Sequence, residues 1–558
     1  MHTNFKNQLQ QAISESIRSF FPPDVEPPSV ELEVPGDKAH GEFATNIALK
    51  SAKILKKAPM AIAEELSRTI TEGLRATSVK DKIEKVEAKR PGFINFYVSA
   101  EALYDVLEQI FAQKDDFGRL EFGRREKVLL EFVSANPTGP LSVAHARQAA
   151  VGDALANILA FVGFDVKKEY YVNDEGNQID ILGQSIACRC REALGEKVTF
   201  PEDGYQGEYV REMASEFLAK HKIKDPAGLD KIKKEQFCQF GVDHLMEVIK
   251  KDLKDFGVHF DVWSHQSKLA TPKHTEEALA LLQKEKFIYE KDGALWFRST
   301  EFGDDKDRVV KKSNGLHTYL APDIAYHRNK FDRGFHTLIN IWGPDHHGYI
   351  SRLKAAVAAL GHSADQLKVL IVQLATIYRK GKPVSMSTRR GEFISLKEVM
   401  DEVGVDAARF FFLLRHINAH LEFDLELAKQ QTPENPVYYI QYAHARIYSI
   451  VAKAKESDIY QAKGRLKLLN TPEEHDLIKK MGAFPDILMV CHQQMDPYPV
   501  LSYLMELATV FHKFYDQHRV ADPENKELSQ ERLALIDAVR IVIANGLRLL
   551  GVSRPEKM

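Results

Sequence analysis

Hydrophobic and polar residues follow two different patterns over the first part of the chain. Apolar positions recur at helical spacing from Phe5 to Phe20 and again over 43–69, which predicts two helical stretches. Val30 to Val34 alternates like a strand, and Phe93 to Val98, entered through a proline–glycine turn, is a second strand candidate. Because helices and strands are mixed here, the pattern predicts a small α+β module at 1–110.

A different pattern begins after this module. The apolar run from Lys127 to Val133 predicts a short strand, and a loop rich in proline and glycine separates it from a helical stretch at 143–161. A strand, a tight loop and a helix in this order form the first half of a nucleotide-binding α/β unit. Strand candidates at 336–342 and 368–374, with a helix at 351–361 between them, extend the pattern to a parallel, doubly wound sheet of Rossmann-like type.

The remaining segments are mostly helical. A charge-rich segment at about 185–290 interrupts the α/β pattern and is predicted to be a helical insertion between two halves of one sheet. The last part of the chain is helical to its end and forms an all-α bundle. One helical face there is marked by five apolar residues: Val500, Leu504, Leu507, Phe511 and Phe514. We therefore expect an α/β domain at 111–435 and a helical bundle at 436–558.

Composition adds few constraints to this picture. With 558 residues, of which 44% are hydrophobic and 28% charged, the chain fits a soluble protein of roughly three or four domains. The formal net charge of −3 does not indicate a nucleic-acid partner, so such a partner would have to bind to a local basic surface. The four cysteines lack the spacing of zinc ligands, and no apolar run approaches the roughly 20 residues that span a bilayer. We expect a cytoplasmic protein without membrane contact.

The segment from Ser134 to Arg147 carries the first candidate chemistry. It joins the end of the first strand of the predicted sheet to the start of the long helix. Unpaired amides and the helix dipole make a helix N-terminus attractive to anions, and His145 and Arg147 add donors in the first turn. Such a site suits the triphosphate of ATP. The alternative is that a histidine near a helix start is structural.

This segment resembles the first signature of class I aminoacyl-tRNA synthetases in its arginyl form. The stretches Val151–Asn157 and Tyr170–Gln178 are also similar to the arginyl-tRNA synthetase family. The chain departs from the family pattern at Ser142, which replaces the first signature histidine, and at Ala144, which replaces a glycine. The resemblance implies that His145 carries the phosphate contact, with Ser142 as a hydrogen-bonding substitute at most.

The second class I signature is a lysine-bearing loop, and the matching segment here is 380–391. Its centre, Met386–Ser387, fits the family pattern, but Ser385 and Thr388 replace the two signature lysines. The loop should deliver positive charge to the α and β phosphates in the transition state. Arg389, the cation nearest the vacant position, is favoured for this role. On charge spacing alone the segment reads as a solvated basic turn.

The resemblance also implies an amino acid pocket. A guanidinium is a planar fork of donors that carboxylates meet best, and the family pattern points to Glu131 and Asp323. Tyr319 would lie against or hydrogen-bond the guanidinium, while Ser134 and Asn136 would hold the α-amino and carboxylate groups. Without the family, Asp323 after a proline reads as a helix cap.

Two adjacent histidines, His346 and His347, follow the 336–342 strand and are implied to line the cleft. A pair of histidines without a third ligand does not make a zinc site, so no metal centre is expected. The implied residues are His145, Met386, Ser387 and Arg389 for catalysis; Ser142, His145, Arg147, His346, Ser387 and Arg389 for ATP; and Glu131, Ser134, Asn136, Tyr319, Asp323 and His347 for arginine.

The two ends of the chain resemble the tRNA-binding parts of the family. Asn46 and Lys53 lie in the N-terminal module, which contacts the tRNA elbow in the family, although a lysine face is more often only solvated. Tyr442 and Arg446 lie in the helical bundle, which resembles the anticodon-binding domain. Asp537–Arg540 matches the family's D-A-L-R hallmark and could equally be a local ion pair.

Taken along the whole chain, the resemblance implies an arginine–tRNA ligase activity. Arginine and ATP, as its magnesium complex, would give arginyl adenylate and pyrophosphate, and the arginyl group would pass to tRNA(Arg). The family also implies a monomer whose activation step needs bound tRNA. Two alternatives stay open: a class I synthetase for another amino acid, against which the acidic pocket argues, and a tRNA-binding paralogue without catalysis, which the altered signatures motivate.

Overall fold

The structure, a computed structural model, describes residues 3–269, 271–384, 393–464 and 466–558. In chain order the strands are β1 (Phe43–Thr45), β2 (Ile83–Lys89), β3 (Phe93–Val98), β4 (Lys127–Glu131), β5 (Asp165–Val172), β6 (Val262–His265), β7 (Ile288–Lys291), β8 (Ala294–Phe297), β9 (Arg308–Lys311), β10 (Thr337–Trp342), β11 (Leu367–Ile371), β12 (Ala375–Arg379), β13 (Lys382–Pro383) and β14 (Leu421–Asp424). The α-helices are α1 (Thr3–Ile17), α2 (Ile47–Leu55), α3 (Pro59–Leu74), α4 (Ala100–Gln113), α5 (Val143–Phe161), α6 (Asn177–Ala193), α7 (Glu208–His221), α8 (Pro226–Leu229), α9 (Lys234–Asp255), α10 (Gln266–Leu269), α11 (Pro272–Lys284), α12 (Leu320–Asp332), α13 (Ile350–Ala359), α14 (Leu396–Val403), α15 (Val405–Phe412), α16 (Leu425–Lys429), α17 (Pro436–Glu456), α18 (Pro472–Gly482), α19 (Phe484–Gln494), α20 (Tyr498–Gln517) and α21 (Lys526–Leu549).

The N-terminal module contains a three-stranded antiparallel sheet in the order β1-β3-β2, against which α2 and α3 pack. The predicted helix at its start is confirmed as α1, and the strand at 93–98 is confirmed as β3. The strand predicted at Val30–Val34 is wrong, because only Glu33 pairs there, in an isolated bridge with Ala44. The module is therefore α+β, as predicted, with one strand fewer in that stretch.

The helical stretch predicted at 43–69 is also wrong in detail. Phe43–Thr45 is strand β1, and two helices follow it rather than one. Lys56 ends α2 in the left-handed conformation, with φ of 51°, and Pro59 occupies the first turn of α3. A left-handed residue commonly closes a helix and proline is favoured in a first turn, so the break has a local cause.

A parallel sheet in the order β11-β10-β4-β5-β6 forms the centre of the molecule, and the predicted doubly wound α/β fold is confirmed. The long predicted helix is α5, which contacts β4, β5 and β10. Nearly every residue of α5 is buried, because the helix is covered by the sheet on one side and by α15, α19 and α21 on others. The start of α5 therefore has a fixed position relative to the strand ends.

The insertion predicted at 185–290 has different bounds. The helical segment begins at Asn177, and α6 to α9 pack around their own core with Leu182, Met213 and Phe237. Val262–His265 is not part of the insertion, because it returns to the central sheet as β6 beside β5. The sequence missed this strand because four residues between charged helices carry too little alternation to identify.

Two small sheets flank the central one. Strands β7, β8 and β9 form an antiparallel sheet after the insertion, and β13, β12 and β14 form a sheet next to the cleft described below. The end of the chain is helical, as predicted, and the five apolar residues that marked one face of α20 are all buried. Within the described ranges, no helix has the length and apolar content that crossing a membrane requires.

Candidate active site

A cleft of about 630 Å³ opens at the carboxyl ends of β4 and β10. Its walls come from the residues that follow these strands, from the first turn of α5 and from the start of α12. The strand order reverses here, since β4 is followed in sequence by β5 on one side and is bordered by β10 on the other. Ligands of open α/β sheets bind at such a reversal point, so the fold itself marks this cleft as a substrate site.

The chain makes a tight bend where β4 ends. Val133 and Ser134 both have positive φ, 67° and 40°, which non-glycine residues adopt only where the surrounding structure enforces it. The bend places the Ser134 hydroxyl so that it donates to Glu131 Oε1 at 3.1 Å and accepts from the backbone N of Tyr171 at 3.1 Å. The side chains of this bend are thereby held at the floor of the cleft.

The carboxylate of Glu131 already has a cationic partner. Lys330, on α12, is fully buried, and its ammonium donates to Glu131 Oε2 and, at 3.2 Å, to Asn340 Oδ1. The same ammonium lies 4.3 Å from the ring centroid of Tyr326. Glu131 lines the cleft as predicted, but the charge that faces an incoming guanidinium is largely balanced by Lys330.

Asp323 lies in the first turn of α12 and also lines the cleft. Its Oδ2 accepts a hydrogen bond of 2.5 Å from the Tyr349 hydroxyl, rather than capping a helix. Burial raises the pKa of Asp323 to about 6; the bond from Tyr349 opposes this shift, and the nearby charge of Glu131 adds to it. Among the described residues Asp323 has no ion-pair partner, so it is the buried carboxylate of the cleft that is left to meet a substrate cation.

Tyr319 and Asn136 stand at the rim of the cleft. The ring of Tyr319 is 88% exposed although it lines the opening, a position suited to covering a bound side chain. Asn136 donates from Nδ2 to Gln178 Oε1 at 2.6 Å, which ties the rim to the start of α6. His346 lines the cleft on the opposite side, next to Trp342 at a ring-centroid distance of 5.8 Å.

The first turn of α5 presents His145 to the cleft. Its Nδ1 accepts a hydrogen bond from the backbone N of Ser142 at 3.2 Å, and the Ser142 hydroxyl lies 3.2 Å from the same atom. Burial lowers the pKa of His145 to about 4, so the ring is neutral near pH 7. Because Nδ1 accepts, we assign the single proton to Nε2.

Three residues with predicted ligand contacts do not line the cleft. Ser142 is nearly buried at the N-cap of α5 and is engaged with His145, so it supports the histidine rather than reaching a ligand. His347 is exposed in the turn that carries His346 and is not among the residues that line the cleft. Arg147 is fully buried, and its guanidinium donates to backbone carbonyls behind the cleft wall. We correct the expected ATP contact of Arg147 accordingly.

Residues 385–392 fall outside the described residues, and they include the second-signature residues Ser385, Met386, Ser387, Thr388 and Arg389. Strands β12 and β13 form a hairpin whose turn residues, Lys380 and Gly381, both have positive φ, as two-residue hairpins require. After the gap, Leu396 donates from its backbone N to the carbonyl of Leu141 at 2.8 Å, directly before α5. Both flanks therefore lie beside the helix that carries His145.

The residues predicted to bind tRNA lie outside the cleft. Asn46 is the N-cap residue of α2, and Lys53 is exposed on that helix, whereas Lys50 is paired with Glu31 at 2.9 Å. Phe43 and Phe96 are core residues of the N-terminal module. This leaves Lys53 as a solvent-facing cation of the predicted elbow-binding surface.

An aromatic row runs along the helical bundle. Tyr442 is 36% exposed and lies between the rings of Tyr438 and His512, at centroid distances of 6.1 and 6.0 Å with nearly parallel planes. Arg446, one turn further on, donates to the Tyr515 hydroxyl at 3.1 Å. Tyr438 also lines a second cavity, of about 670 Å³, that reaches the chain end. Exposed parallel rings of this kind can stack on nucleic-acid bases.

The D-A-L-R match at 537–540 is a local ion pair in the structure. Arg540 Nε donates to Asp537 Oδ1 at 2.6 Å, and the guanidinium lies 5.0 Å from the ring centroid of Tyr448. This is the structural alternative that the sequence left open. Arg540 also donates from Nη1 to the Tyr448 hydroxyl at 3.3 Å, and this contact joins α21 to α17, the helix on which Tyr442 lies.

Sequence reasoning missed the polar face of α12. Asp323, His327 and Lys330 are spaced by four and three residues, so all three point to the same side of the helix. His327 is buried, with Nε2 3.0 Å from Asn340 Nδ2, and burial lowers its pKa to about 3. The helical spacing of polar residues was the signal that could have found this face.

Comparisons with known proteins agree with this geometry. Three family models match the chain in order: "Arginyl tRNA synthetase N terminal domain" over 7–98, "tRNA synthetases class I (R), catalytic domain" over 106–415 and "DALR anticodon binding domain" over 440–558. The catalytic model covers more than half of the chain and contains every described residue of the cleft. The parallel sheet, the cleft at its carboxyl edge and this match define a class I aminoacyl-tRNA synthetase.

Relatives that match over nearly the full length of the chain identify its family within the class I synthetases. The arginine–tRNA ligase of Citrifermentans bemidjiense is 46% identical, covering 99% of this chain and 100% of its own length, and arginine–tRNA ligase 1 of Halalkalibacterium halodurans is 45% identical over 99% of both. The chain belongs to the arginyl-tRNA synthetase family. The solved arginyl-tRNA synthetase of Thermus thermophilus shares the fold, with a TM-score of 0.75, 22% identity and coverage of 99% and 100% of the two chains.

Proposed function

We propose that this cleft binds L-arginine and ATP side by side, joins them as arginyl adenylate and passes the arginyl group to tRNA(Arg). The observation that carries the proposal is that Asp323, a carboxylate without an ion-pair partner among the described residues, shares one cleft with His145 at a helix N-terminus. A carboxylate such as Asp323 favours a cationic ligand, and a helix N-terminus such as that of α5 favours a polyphosphate.

The arginine side chain would enter between Tyr319 and the floor of the cleft. Its guanidinium would pair with Asp323, while Glu131, balanced by Lys330, supplies a second acceptor. One buried carboxylate without a cationic partner, Asp323, then faces one cationic side chain, which suits the single charge of arginine. Ser134 and Asn136 would hold the α-amino and α-carboxylate groups at the bend after β4.

ATP enters as its magnesium complex, which is the substrate. The phosphates would lie at the first turn of α5, where backbone amides and Nε2–H of His145 act as donors, with His346 on the opposite wall. The α-carboxylate of arginine attacks the α-phosphorus, the bond to the β-phosphate oxygen breaks and pyrophosphate leaves. The protein contributes positioning and charge stabilisation rather than a covalent intermediate.

The signature segment would supply the remaining positive charge. Its flanks lie next to α5, as the bonds of Leu396 and the β12–β13 hairpin indicate. We assign this role to Arg389, with Met386 and Ser387 beside the nucleotide, on the match to the family pattern. A terminal ribose hydroxyl of the tRNA then takes the arginyl group from the adenylate.

The chain would act through three domains. Residues 1–110 would bind the tRNA elbow through Asn46 and Lys53, and residues 111–435 would form the catalytic domain. Residues 436–558 would bind the anticodon through Tyr442 and Arg446. We propose that it acts as a cytoplasmic monomer whose activation step requires tRNA. All four cysteines are unpaired, which suits a reducing compartment. Burial raises the thiol pKa of two of them, Cys190 and Cys491, to about 12, so both thiols are protonated at neutral pH.

The test is arginine-dependent exchange of pyrophosphate into ATP, measured with and without tRNA(Arg). We expect exchange with arginine and tRNA, none with lysine or methionine, and loss of exchange in Asp323→Asn. Asp332→Asn, on the exposed end of the same helix, is the matched control and should keep full exchange. Exchange with another amino acid would reassign the substrate, and tRNA binding without any exchange would identify a paralogue that has lost catalysis.

A further inference from the structure

Arg147, on α5, joins two other parts of the molecule through one buried guanidinium. It leaves α5 two residues after His145 and is fully buried. Nη1 donates to the carbonyl of Gln373 at 2.7 Å and to that of Ala419 at 2.9 Å, and Nη2 donates to the carbonyl of His416 at 3.1 Å. Burial lowers the pKa of the guanidinium to about 10, opposed by the charge of Asp496, so it is cationic near neutral pH.

The first of these parts is the wall of the cleft. Gln373 and Leu374 line the cleft directly, and the next residue begins β12. Strand β12 leads through the hairpin to the signature segment. The position of Gln373 therefore affects both the shape of the cleft and the start of β12.

The second part is the segment 416–419, which docks on the helical bundle. His416 Nδ1 lies 2.9 Å from Asp496 Oδ2, and the backbone N of Ile417 donates to the same oxygen at 3.1 Å. Asp496 is buried just before α20, and its Oδ1 accepts from the backbone N of Tyr498. The His416 ring lies 4.3 Å from the Tyr498 ring centroid, so this contact is the point where the bundle meets the back of the cleft wall.

We infer that Arg147 is a positioning residue that locks the cleft wall at Gln373–Leu374 to the docking point of the helical bundle at Asp496. A lysine at this position keeps the charge but cannot span carbonyls of two segments with a planar fork of donors. The guanidinium thus makes the placement of the bundle and the geometry of the arginine and ATP cleft depend on each other. The inference deepens the proposed function, because it concerns how the same cleft is set for activation.

A second buried arginine provides a matched control. Arg409 also crosses from the catalytic domain to the bundle, where it donates to the carbonyl of Leu550 at 3.2 Å and pairs with Asp153 at 2.6 Å. None of its contacts is to a residue of the cleft wall. Loss of either arginine should lower the melting temperature, but only loss of Arg147 should change the cleft.

The experiment is steady-state aminoacylation by the full-length chain carrying Arg147→Lys, His416→Ala or both, with Arg409→Lys as the control. Melting temperatures and active-site titration give the folded fraction of each variant. We expect Arg147→Lys to lower kcat/KM for arginine at least 10-fold in the folded fraction. Arg409→Lys should lose thermal stability at unchanged KM for arginine. Because the Arg147 guanidinium and the His416 side chain are successive contacts in one series, from Gln373 to Asp496, the double variant should be no worse than the less active single variant by more than about threefold.

The His416→Ala variant still tests the inference if Arg147→Lys does not fold. The His416 side chain is 49% exposed and lies outside the cleft, so its loss should not prevent folding. On its own it should lower kcat/KM for arginine at least threefold. The inference is overturned if the effects of the two substitutions multiply, or if both leave kcat and KM of the folded fraction unchanged. Since wild-type exchange is measured in parallel, failure of the proposed activity would be seen separately.

Discussion

The hydroxyl of Tyr349 donates a hydrogen bond of 2.5 Å to the carboxylate of Asp323. The bond joins two walls of the cleft, because Asp323 lies in the first turn of α12 and Tyr349 ends the turn after β10. It favours the ionised carboxylate, whereas burial favours the neutral acid and places the pKa of Asp323 at about 6. The acid is therefore ionised at neutral pH but titrates only slightly below it.

The first prediction concerns pH. Because a protonated Asp323 cannot balance a guanidinium charge, kcat/KM for arginine should fall about tenfold per pH unit below an inflection near the pKa of about 6. Removing the bond with Tyr349→Phe should move the inflection up by about one pH unit. The profile is measured from pH 5 to 8 in aminoacylation. His145 titrates near a pKa of about 4 and does not contribute, so a flat profile down to pH 5 would contradict the assignment of Asp323.

The second prediction concerns the buried pair of Lys330 and Glu131. Lys330→Met leaves a buried carboxylate without its cation, and breaking such pairs costs about 3–5 kcal/mol. Replacing both partners, as Glu131→Gln with Lys330→Met, should restore most of that loss, since no uncompensated charge remains. Urea unfolding monitored by circular dichroism measures the difference. Lys284→Met, at an exposed position, is the control. An equal loss of unfolding free energy in the double variant and in Lys330→Met would contradict the pairing of Lys330 with Glu131.

The third prediction distinguishes the two nitrogens of His145. Since Nδ1 accepts from the backbone of Ser142, the phosphate donor is Nε2–H. Glutamine places an amide nitrogen near the position of Nε2 and asparagine places one near Nδ1. We therefore expect His145→Gln to retain about ten times more kcat for adenylate formation than His145→Asn, because one hydrogen bond to a charged group contributes about 1.5 kcal/mol. Equal activity of the two variants would remove His145 from the phosphate site.

The fourth prediction concerns Tyr319. Its ring is 88% exposed in the free protein, so it adds little to stability. Tyr319→Ala should raise KM for arginine about tenfold, the value of one aromatic contact with a guanidinium, without a change in melting temperature. Tyr319→Phe keeps the ring and reports the hydroxyl alone. An unchanged KM in the alanine variant would place the arginine side chain elsewhere in the cleft.

The fifth prediction tests which cation acts from the signature segment. Arg389→Ala should lower kcat for adenylate formation by about 10²–10³-fold, as expected for loss of a charge that acts in the transition state, with KM for arginine nearly constant. Lys380→Ala, in the turn of the β12–β13 hairpin, is the control and should be nearly neutral. A larger loss in Lys382→Ala than in Arg389→Ala would move the role to the lysine at the start of β13.

The strand, bend and helix around the first signature could be predicted from sequence because they follow one another along the chain. The apolar run of β4 and the first residue of α5 lie where the pattern placed them. The partner of Glu131 could not be found in this way, because Lys330 is 199 residues away and only the folded sheet brings the two together. Periodicity carries no information on such pairs.

Arg147 shows the second limit of sequence reasoning. The position of Arg147 near the start of a helix that faces a phosphate site suggested a ligand contact. The side chains of that part of the helix point in different directions, however, and not all of them face the site. Whether a side chain of that turn reaches the cleft or the layer behind it depends on what covers the helix, and α5 is covered on several sides. The same holds for Ser142 and His347, whose neighbours His145 and His346 do reach the cleft.

The order of the strands has a consequence for biosynthesis. Strands β4, β5 and β6 are adjacent and complete once residue 265 has been made, but β10, which borders β4 on its other side, ends only at residue 342. A growing chain between these two lengths presents the bare edge of β4 to its surroundings, and bare strand edges pair readily with other chains. We expect ribosome-bound chains of intermediate length to depend on chaperones until β10 emerges and closes the sheet.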